Sequence, residues 1–277
     1  DGGVLDDLTC YRRAPDRFWL VVNAGTLERD REWIRARLSA GTGFRDLSEA
    51  TAKLDVQGPA AREAMQAAFG VPMPDLGYFR FTPVTLGGVE CLMSWTGYTG
   101  EFGYELYFPA AEAGRFWDLL TGPGGAKPAG LGARDTLRLE MGYPLYGHEL
   151  TESRTPVTAA RGQFVDTGKE FIGREAVARD LAKGCPRYLA GLRLTTKRAA
   201  RAGDTVVADG ATVGEVTSGS LAPSLGVAVA MAMIDGPLTA IGTKLGVAVK
   251  AGVLPAAVVP LPFHTAGTAR RKEKAGG

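Results

Sequence analysis

The chain has 277 residues, 45% of them hydrophobic and 22% charged, and its formal net charge is +2. This length is more than one hydrophobic core usually serves, so roughly two or three domains are predicted. The small net charge excludes proteins that hold nucleic acid mainly by electrostatic attraction, and the basic cluster at 270–274 is interpreted as a solvated tail. The apolar stretch at 225–234 is shorter than the roughly 20 residues of a membrane span and predicts a buried strand.

The cysteines and histidines carry no signal for a metal or disulfide framework. Cys10, Cys91 and Cys185 are far apart and show no CxxC spacing, and His148 and His264 are also widely separated. We therefore expect no metal site and no disulfide framework, and the cysteine usage fits a reducing compartment.

The first part of the chain reads as two strands followed by a helix. Apolar residues between 4 and 11 predict one strand, and the run FWLVV (18–22) predicts the next. Thr26 is the predicted N-cap of a helix that ends before Gly41. The strand pattern starts almost at residue 1, without an initiator Met, so we expect the chain to enter a domain that has already begun.

The middle of the chain predicts a mixture of strands and helices. Residues 50–57 alternate as a strand, and GlyPro at 58–59 ends it and starts a helix over 60–69. Gln57 is interpreted as satisfying backbone groups beside this turn. Residues 82–95 predict a hairpin with GlyGly at its turn.

The sequence of the second half predicts further helices and then a region composed of strands. A strand over 103–108 precedes a helix over 110–120 and another over 132–141. Residues 169–177 lead into a short connecting helix. From residue 187 onward, short β-rich runs separated by turns predict an all-β domain.

Asp6 and Asp7 are adjacent carboxylates near the start of the chain. On a strand, neighbouring side chains point to opposite faces, so at most one of them would enter a given pocket. Both faces of the predicted strand carry apolar residues, so periodicity leaves open which carboxylate points inward. The alternative is that both are exposed edge charges.

The stretch WTGYTGEFGYEL (95–106) combines glycines with hydrogen-bonding side chains. It lacks the spacing of a GxGxxG fingerprint and the Lys-Ser/Thr ending of a phosphate loop, and its two glutamates would repel phosphate. Acidic groups instead suit a ligand that donates hydrogen bonds, such as a 2-amino-4-oxo heterocycle. Tyr98 and Glu105 are the candidate ligand contacts, whereas Glu101 lies in the turn and is interpreted as structural. A plain glycine-rich hairpin is the alternative.

Two arginines and a tyrosine mark the predicted helix at 132–141 and its end. Arg134 and Arg138 are four residues apart and so share a helix face, where they would bind a carboxylate tail. The alternative is that they pair with Asp135 and Glu140. Tyr143 follows at the helix end, where aromatic rings line pockets or fill cores.

Nine motifs in order resemble the family of glycine cleavage system T-proteins, the aminomethyltransferases. Each motif is weak alone, but the ordered set is highly specific, and it extends from residue 1 to about residue 264. The motifs are DGGVLDDL (1–8), VVNAG (21–25), VQGP (56–59), TGYTGEFGYE (96–105), GLGARDTLRLEMGYPLYGH (130–148), TPV (155–157), FIGRE (171–175), GEVTSG (214–219) and PSL (223–225).

The resemblance implies an α+β multidomain fold, with antiparallel sheets, helices and a C-terminal all-β barrel around a central folate pocket. Family members normally carry roughly a quarter more chain before the first motif, so we expect this chain to lack the N-terminal portion. The predicted division is the remainder of an N-terminal α+β domain (1–48), a central folate-binding α+β domain (49–160), a helical connector (161–186) and a β-barrel domain with a basic tail (187–277).

The resemblance also implies a reaction and its partners. An aminomethyl group carried on the lipoyl arm of H-protein would be passed to tetrahydrofolate, with release of ammonia and formation of 5,10-methylenetetrahydrofolate. Lipoylated H-protein and folate are therefore the expected partners, and nucleic acid, membrane and metal are not. The implied location is a bacterial cytoplasm or a mitochondrial matrix.

The resemblance assigns roles to individual residues. Asp7 matches the carboxylate near the reacting folate nitrogens, where it would stabilise a developing iminium cation and assist proton movement. Glu105 matches the glutamate that holds the pterin edge, and Arg134 would meet the glutamyl tail or brace the pocket. The matched pocket positions are Asn23, Tyr98, Glu105, Arg134 and Tyr143.

Two departures and two alternative functions accompany this assignment. Thr158 stands where the family usually has Glu, and Gln163 where it often has an aromatic residue, in a segment that bears on access of the lipoyl arm. One alternative is the folate domain of a sarcosine or dimethylglycine dehydrogenase, which would have a flavin-binding fold upstream. The other is a non-enzymatic folate-binding protein of iron–sulfur assembly, but KEFIGRE (169–175) lacks the KGCY-x-GQE motif of that group.

Overall fold

The computed structural model describes residues 1–269, and the basic cluster at 270–274 lies outside them. The chain divides into two compact units. Among the described residues, the first unit comprises 1–38 and 138–265, and the second comprises 39–137 and 266–269. The four-part domain division stays a prediction. Within the described residues, no helix combines the length and apolarity needed to cross a membrane.

The first unit opens with a two-stranded ribbon and a helix. Strands β1 (Thr9–Ala14) and β2 (Arg17–Val21) pair antiparallel, and helix α1 spans Leu27–Arg35. Thr26 is the N-cap as predicted, and the helix ends before Gly41, also as predicted. The first predicted strand exists, but it begins at Thr9 and not at residue 4. The backbone at residue 4 bonds to a loop instead: the N–H of Val4 donates to the carbonyl oxygens of Thr151 and Arg154.

The second unit is a four-stranded antiparallel sheet with two helices. Its strand order is β3-β6-β5-β4, and Met65 of α2, Leu106 of β6 and Phe116 of α3 are fully buried in its core. Gly87 and Gly88 have φ of 54° and 81°, the left-handed values that a two-residue hairpin turn of this kind requires, so the predicted hairpin is confirmed. The elements are β3 (Thr51–Gln57), α2 (Ala61–Phe69), β4 (Phe81–Leu86), β5 (Val89–Ser94), β6 (Gly103–Pro109) and α3 (Ala113–Thr121).

Two further helices follow in the sequence. Helix α4 spans Leu131–Glu140, and α5 spans Arg174–Lys183. Both were predicted, and α5 begins within the segment 169–177 that was predicted to lead into it. Gly173 precedes α5 with φ of +94°, a left-handed conformation that favours glycine at this helix start.

The first unit ends in a closed six-stranded barrel, as predicted. Both faces of β10 are buried: Ala230 lies in the barrel core, while Met231 packs with Leu139 of α4. This burial on both sides explains why its sequence is continuously apolar. The strands are β7 (Arg187–Leu194), β8 (Thr205–Ala208), β9 (Ala211–Ala222), β10 (Val227–Asp235), β11 (Lys244–Val249) and β12 (Gly252–Val259), in the closed order β10-β7-β12-β11-β8-β9.

Candidate functional site

Three charged side chains meet on one face of the sheet in the second unit. Asp55 of β3 lies directly opposite Glu105 of β6, so the two carboxylates point to the same face. Lys53, two residues before Asp55 on β3, joins them. Its Nζ lies 2.8 Å from Glu105 Oε1 and 3.2 Å from Asp55 Oδ1. One ammonium group therefore neutralises part of the charge of two carboxylates.

Glu105 is enclosed by donors from its own unit. Only 7% of the residue is exposed, and its Oε2 accepts hydrogen bonds from Thr96 Oγ1 and from the hydroxyl of Tyr107, each at 2.8 Å. Burial alone would raise the pKa of Glu105, but attraction to Lys53 and these hydrogen bonds outweigh burial and lower the pKa. Glu105 is thus held as an anion with most of its acceptor positions occupied.

Asp55 has a different environment. Its side chain is 34% exposed, and Oδ2 makes only a long ion pair, 3.8 Å from Arg134 Nη1. Burial raises the pKa of Asp55, and the nearby charge of Glu105 adds to this, against the opposing pull of Lys53 and Arg134. Arg134 itself lies over the ring of Tyr98, with its guanidinium carbon 4.6 Å from the ring centroid.

A cavity of about 920 Å³ lies beside these groups. Lys53 and Asp55 line it together with Tyr98 and Arg134, and small apolar residues of α2 such as Ala64 form another wall. This volume and this mixture of apolar wall and few charged groups are typical of sites for small organic ligands. Four charged or aromatic groups thus converge on one ligand-sized space within a single unit.

The glycines at 95–106 have two structural roles. Some lie where a side chain would collide with β3, and one adopts a left-handed backbone conformation. A Cβ on Gly97 would lie 2.1 Å from Gln57 Oε1, and a Cβ on Gly103 would lie 2.5 Å from the carbonyl oxygen of Val56. Gly100 has φ of +78°, a value that favours glycine. The stretch joins the antiparallel strands β5 and β6 and therefore forms a hairpin connection, whatever its role toward a ligand.

Gln57 occupies the space that the two glycines leave. Its Nε2 donates to the carbonyl oxygens of Thr96 at 3.1 Å and Tyr104 at 3.3 Å. The predicted role of Gln57 in satisfying backbone groups is therefore confirmed. Its amide ties the start of β6 to the segment that carries Tyr98.

We expect Gly103→Ala to lower the free energy of unfolding by about 1–3 kcal/mol, because the added methyl group meets backbone atoms that cannot move independently. Thermal and urea denaturation measure the change. Gly114→Ala is the matched control: Gly114 lies in α3 with open space around its Cα, so alanine should stabilise the helix by about 0.5–1 kcal/mol. Equal stability of Gly103→Ala and the wild type would show that the close approach is relaxed in solution.

The same loop is fastened by the segment after residue 265. The backbone N–H of Phe102 donates to Thr268 Oγ1 at 2.8 Å, and the N–H of Ala269 donates to the carbonyl oxygen of Gly100 at 3.0 Å. The carboxylate of Glu101 accepts hydrogen bonds from the backbone N–H and the hydroxyl of Thr268. Glu101 therefore bonds within the fold, in agreement with its interpretation as structural.

In the first unit, Asn23 binds both adjacent carboxylates. Its Nδ2 donates to Asp6 Oδ1 at 2.7 Å and to Asp7 Oδ1 at 3.1 Å, and its backbone N–H donates to Asp6 Oδ2 at 3.1 Å. The argument from strand alternation is wrong here, because residues 1–8 lie outside any strand. The irregular backbone lets neighbouring side chains reach the same amide group.

Asp6 and Asp7 nevertheless differ in environment. Asp6 is partly buried beside buried Asp30; burial opposes ionisation of Asp6, but the hydrogen bonds from Asn23 outweigh it and lower the pKa of Asp6. The pKa of Asp30 is raised by burial and by its contact with Asp6. Asp7 is exposed. Asp6 is thus committed to internal contacts, whereas the carboxylate of Asp7 is accessible to a ligand.

Arg138 and Tyr143 differ from Arg134 in their burial and in their hydrogen-bond partners. Arg138 is 1% exposed, and its guanidinium pairs with Glu149 at 3.1 Å, so it is unavailable to a ligand carboxylate. Tyr143 is half-buried, and its backbone N–H donates to the carbonyl oxygen of Arg138 at 2.9 Å. The shared helix face of Arg134 and Arg138 is therefore not a two-arginine site.

The predicted site residues fall three into each unit. Asp7, Asn23 and Tyr143 belong to the first unit, and Tyr98, Glu105 and Arg134 to the second. Their ligand-binding and catalytic roles stay predictions. Sequence reasoning missed Lys53 and Asp55, although their alternation with Gln57 on β3 is a signal that all three share a face.

The fold and the cavity together define a class: a multidomain α+β protein with a charged, ligand-sized cavity and a closed β-barrel. Comparison with known families narrows this class. Residues 1–169 match the model of the GCVT N-terminal domain, and residues 187–264 match that of the glycine cleavage T-protein C-terminal barrel domain. The chain belongs to the glycine cleavage T-protein family, as its motifs predicted.

Individual relatives agree with this result. The chain is 45% identical to an aminomethyltransferase of Moorella thermoacetica over 272 residues, which cover 95% of this chain and 74% of the relative. It is 40% identical to an aminomethyltransferase of Halalkalibacterium halodurans, covering 96% and 74% of the two chains. The crystal structure of the glycine cleavage system aminomethyltransferase T from Bartonella henselae matches with a TM-score of 0.86 and 32% identity, over 99% of this chain and 74% of that one. The predicted fold is thereby confirmed.

Proposed function

We propose that the chain transfers an aminomethyl group from the lipoyl arm of H-protein to tetrahydrofolate and releases ammonia. The enzyme class is confirmed by relatives named aminomethyltransferase, which are 38–45% identical over nearly the whole chain. The parts that we propose are tetrahydrofolate as the acceptor, H-protein as the donor, and a cytoplasmic or mitochondrial-matrix location.

The observation that carries the proposal is the cavity of about 920 Å³ in the second unit. Its volume suits a pterin with part of its substituent, and pockets of this kind use a few placed polar groups to orient the ligand. Carboxylates suit the donor edge of a 2-amino-4-oxo heterocycle, and the ring of Tyr98 offers a flat apolar surface. The half-exposed guanidinium of Arg134 suits the negative glutamyl tail.

Asp7 is the group that we propose for the chemistry. Its carboxylate is exposed, and Asn23 holds it through Nδ2 at 3.1 Å from Oδ1 and 3.0 Å from the backbone carbonyl oxygen. A carboxylate held in this way stabilises positive charge that develops on a reacting amine and moves protons to or from it. Asp6 supports this arrangement, because its Oδ1 accepts a hydrogen bond from the same Nδ2 of Asn23 at 2.7 Å.

The test is a complete turnover assay with lipoylated, aminomethyl-loaded H-protein and tetrahydrofolate. We expect stoichiometric ammonia and 5,10-methylenetetrahydrofolate, each dependent on both substrates. Omission of H-protein is the matched control. Tetrahydrofolate binding without ammonia release would favour a non-enzymatic folate-binding protein, and transfer from free iminium donors alone would favour a dehydrogenase-type folate domain.

A further inference from the structure

We propose that Asp30 keeps a proton on its carboxyl group, donates it in a hydrogen bond to Asp6, and so acts as a positioning residue for the transfer reaction. Asp6 and Asn23 pass this effect on to Asp7, so the inference rests on the proposed role of Asp7 in the chemistry. All four residues belong to the first unit, and Asp30 lies on α1.

Asp30 is buried in contact with a second carboxyl group. Only 6% of the residue is exposed, and its side chain makes a hydrogen-bond contact with that of Asp6. Two carboxylates in contact away from water repel each other, and such pairs commonly share one proton. Burial and the contact with Asp6 raise the pKa of Asp30, against the opposing effects of Thr26 and Arg29. A shared proton converts the repulsion into an O–H···O hydrogen bond.

The surroundings of Asp30 supply few donors. Among residues 1–269, no donor is directed at its buried Oδ2. Arg29 is the neighbouring cation, but its Nε lies 3.7 Å from Asp30 Oδ1, beyond hydrogen-bond length, and its Nη1 donates to Glu152 at 2.6 Å. The hydroxyl of Thr26 directs its single proton to the carbonyl oxygen of Asn23 at 3.1 Å. An ionised Asp30 would therefore be a poorly solvated anion, whereas the acid form is itself a donor.

The donors around Asp6 identify it as the charged member of the pair. Its Oδ1 accepts from Asn23 Nδ2 at 2.7 Å, and its Oδ2 accepts from the backbone N–H of Asn23 at 3.1 Å. Burial raises the pKa of Asp6, but these hydrogen bonds outweigh burial and lower it. The proton of the pair is thus assigned to Asp30, and Asp6 accepts the hydrogen bond.

One amide group connects this pair to Asp7. Besides its bond to Asp6, Asn23 Nδ2 lies 3.0 Å from the backbone carbonyl oxygen of Asp7 and 3.1 Å from its Oδ1. The two hydrogens of an amide group have fixed directions, so an anchored Asp6 aims the second hydrogen at Asp7. The hydrogen bond from Asp30 anchors Asp6 in turn. Its loss would leave the carboxylate of Asp7 less well oriented for reaction.

Asp30→Asn and Asp30→Leu separate the donor role from the charge. Asparagine keeps a donor toward Asp6 and cannot ionise, so the kcat of aminomethyl transfer from loaded H-protein should stay within a few-fold of the wild type. Leucine has a similar size but no donor, so kcat should fall about 10- to 100-fold, the effect of one hydrogen bond to a charged group. The KM for tetrahydrofolate should change by no more than a few-fold. Glu32→Gln is the matched control, because Glu32 is exposed on the same helix, and it should turn over normally.

Infrared and NMR spectra of the full chain test the inference without substrate. Near neutral pH, the infrared difference between the wild type and Asp30→Asn should contain the C=O stretch of a protonated carboxylic acid, which shifts in deuterium oxide. The NMR signals of the Asn23 side-chain amide should move in Asp30→Leu and stay nearly unchanged in Asp30→Asn.

Three results would overturn the inference: absence of the infrared band, equal loss of turnover in Asp30→Asn and Asp30→Leu, or normal turnover of Asp30→Leu. Should Asp30→Leu fail to fold, the infrared band and the turnover of Asp30→Asn still decide. Absence of transfer by the wild type, with the band and the Asn23 signals as expected, would instead refute the proposed function.

Discussion

Asp7→Asn is expected to slow aminomethyl transfer by about 100- to 10,000-fold, the range typical of removing a general acid or base. The amide keeps the size of the side chain but loses its negative charge and its capacity to accept a proton. Asn23 keeps its contacts with both oxygens of Asp6 and with the backbone carbonyl oxygen of residue 7. Folate binding should therefore persist within a few-fold. Turnover of ammonia together with calorimetric affinity for tetrahydrofolate gives both quantities.

Asp16→Asn is the matched control for this experiment. Asp16 is an exposed aspartate in the turn between β1 and β2, so the same change of charge is made in the same unit without touching Asn23. We expect normal turnover and normal stability from it. Turnover of Asp7→Asn at the rate of Asp16→Asn would show that Asp7 has no role in the chemistry.

Local sequence signals were sufficient for much of the fold. Thr26 begins α1, the pair Gly87 and Gly88 turns the hairpin, and the β-rich pattern from 187 forms the barrel. Each of these rests on residues close together in the chain: a cap, a turn or a period of two. The continuous apolar run of β10 was likewise informative, because burial on both faces removes any need for alternation.

The features that sequence reasoning missed depend on residues far apart in the chain. Strand alternation gave the wrong picture for Asp6 and Asp7, because a strand needs a pairing partner, and Val4 bonds to a loop instead. Asp55 and Glu105 face each other only because β3 pairs with β6 in one register, and a shift by one residue would place them on opposite faces. The register between β3 and β6 cannot be predicted from any short stretch of the sequence.

Arg138→Met is expected to lower the free energy of unfolding by about 3–5 kcal/mol, because it leaves a buried carboxylate without its counter-ion. Arg138 is 1% exposed and Glu149 is fully buried. The guanidinium lies 3.1 Å from Glu149 Oε2 and donates to Ser218 Oγ at 2.7 Å, and the hydroxyl of Ser218 donates to Glu149 Oε1 at 2.7 Å. Urea denaturation measures the loss.

A double variant separates the effect of the unpaired buried charge of Glu149 from the loss of packing volume. In the double variant Arg138→Met, Glu149→Leu no charge stays buried, so most of the lost stability should return. Arg187→Met is the control: Arg187 pairs with Asp235 at 2.9 Å, but both side chains are more than 40% exposed, at 47% and 42%. Such a pair contributes about 0–1 kcal/mol. If Arg138→Met cost no more than Arg187→Met, burial of the ion pair would not be what stabilises this network, and its role would reduce to filling space between α4 and the barrel.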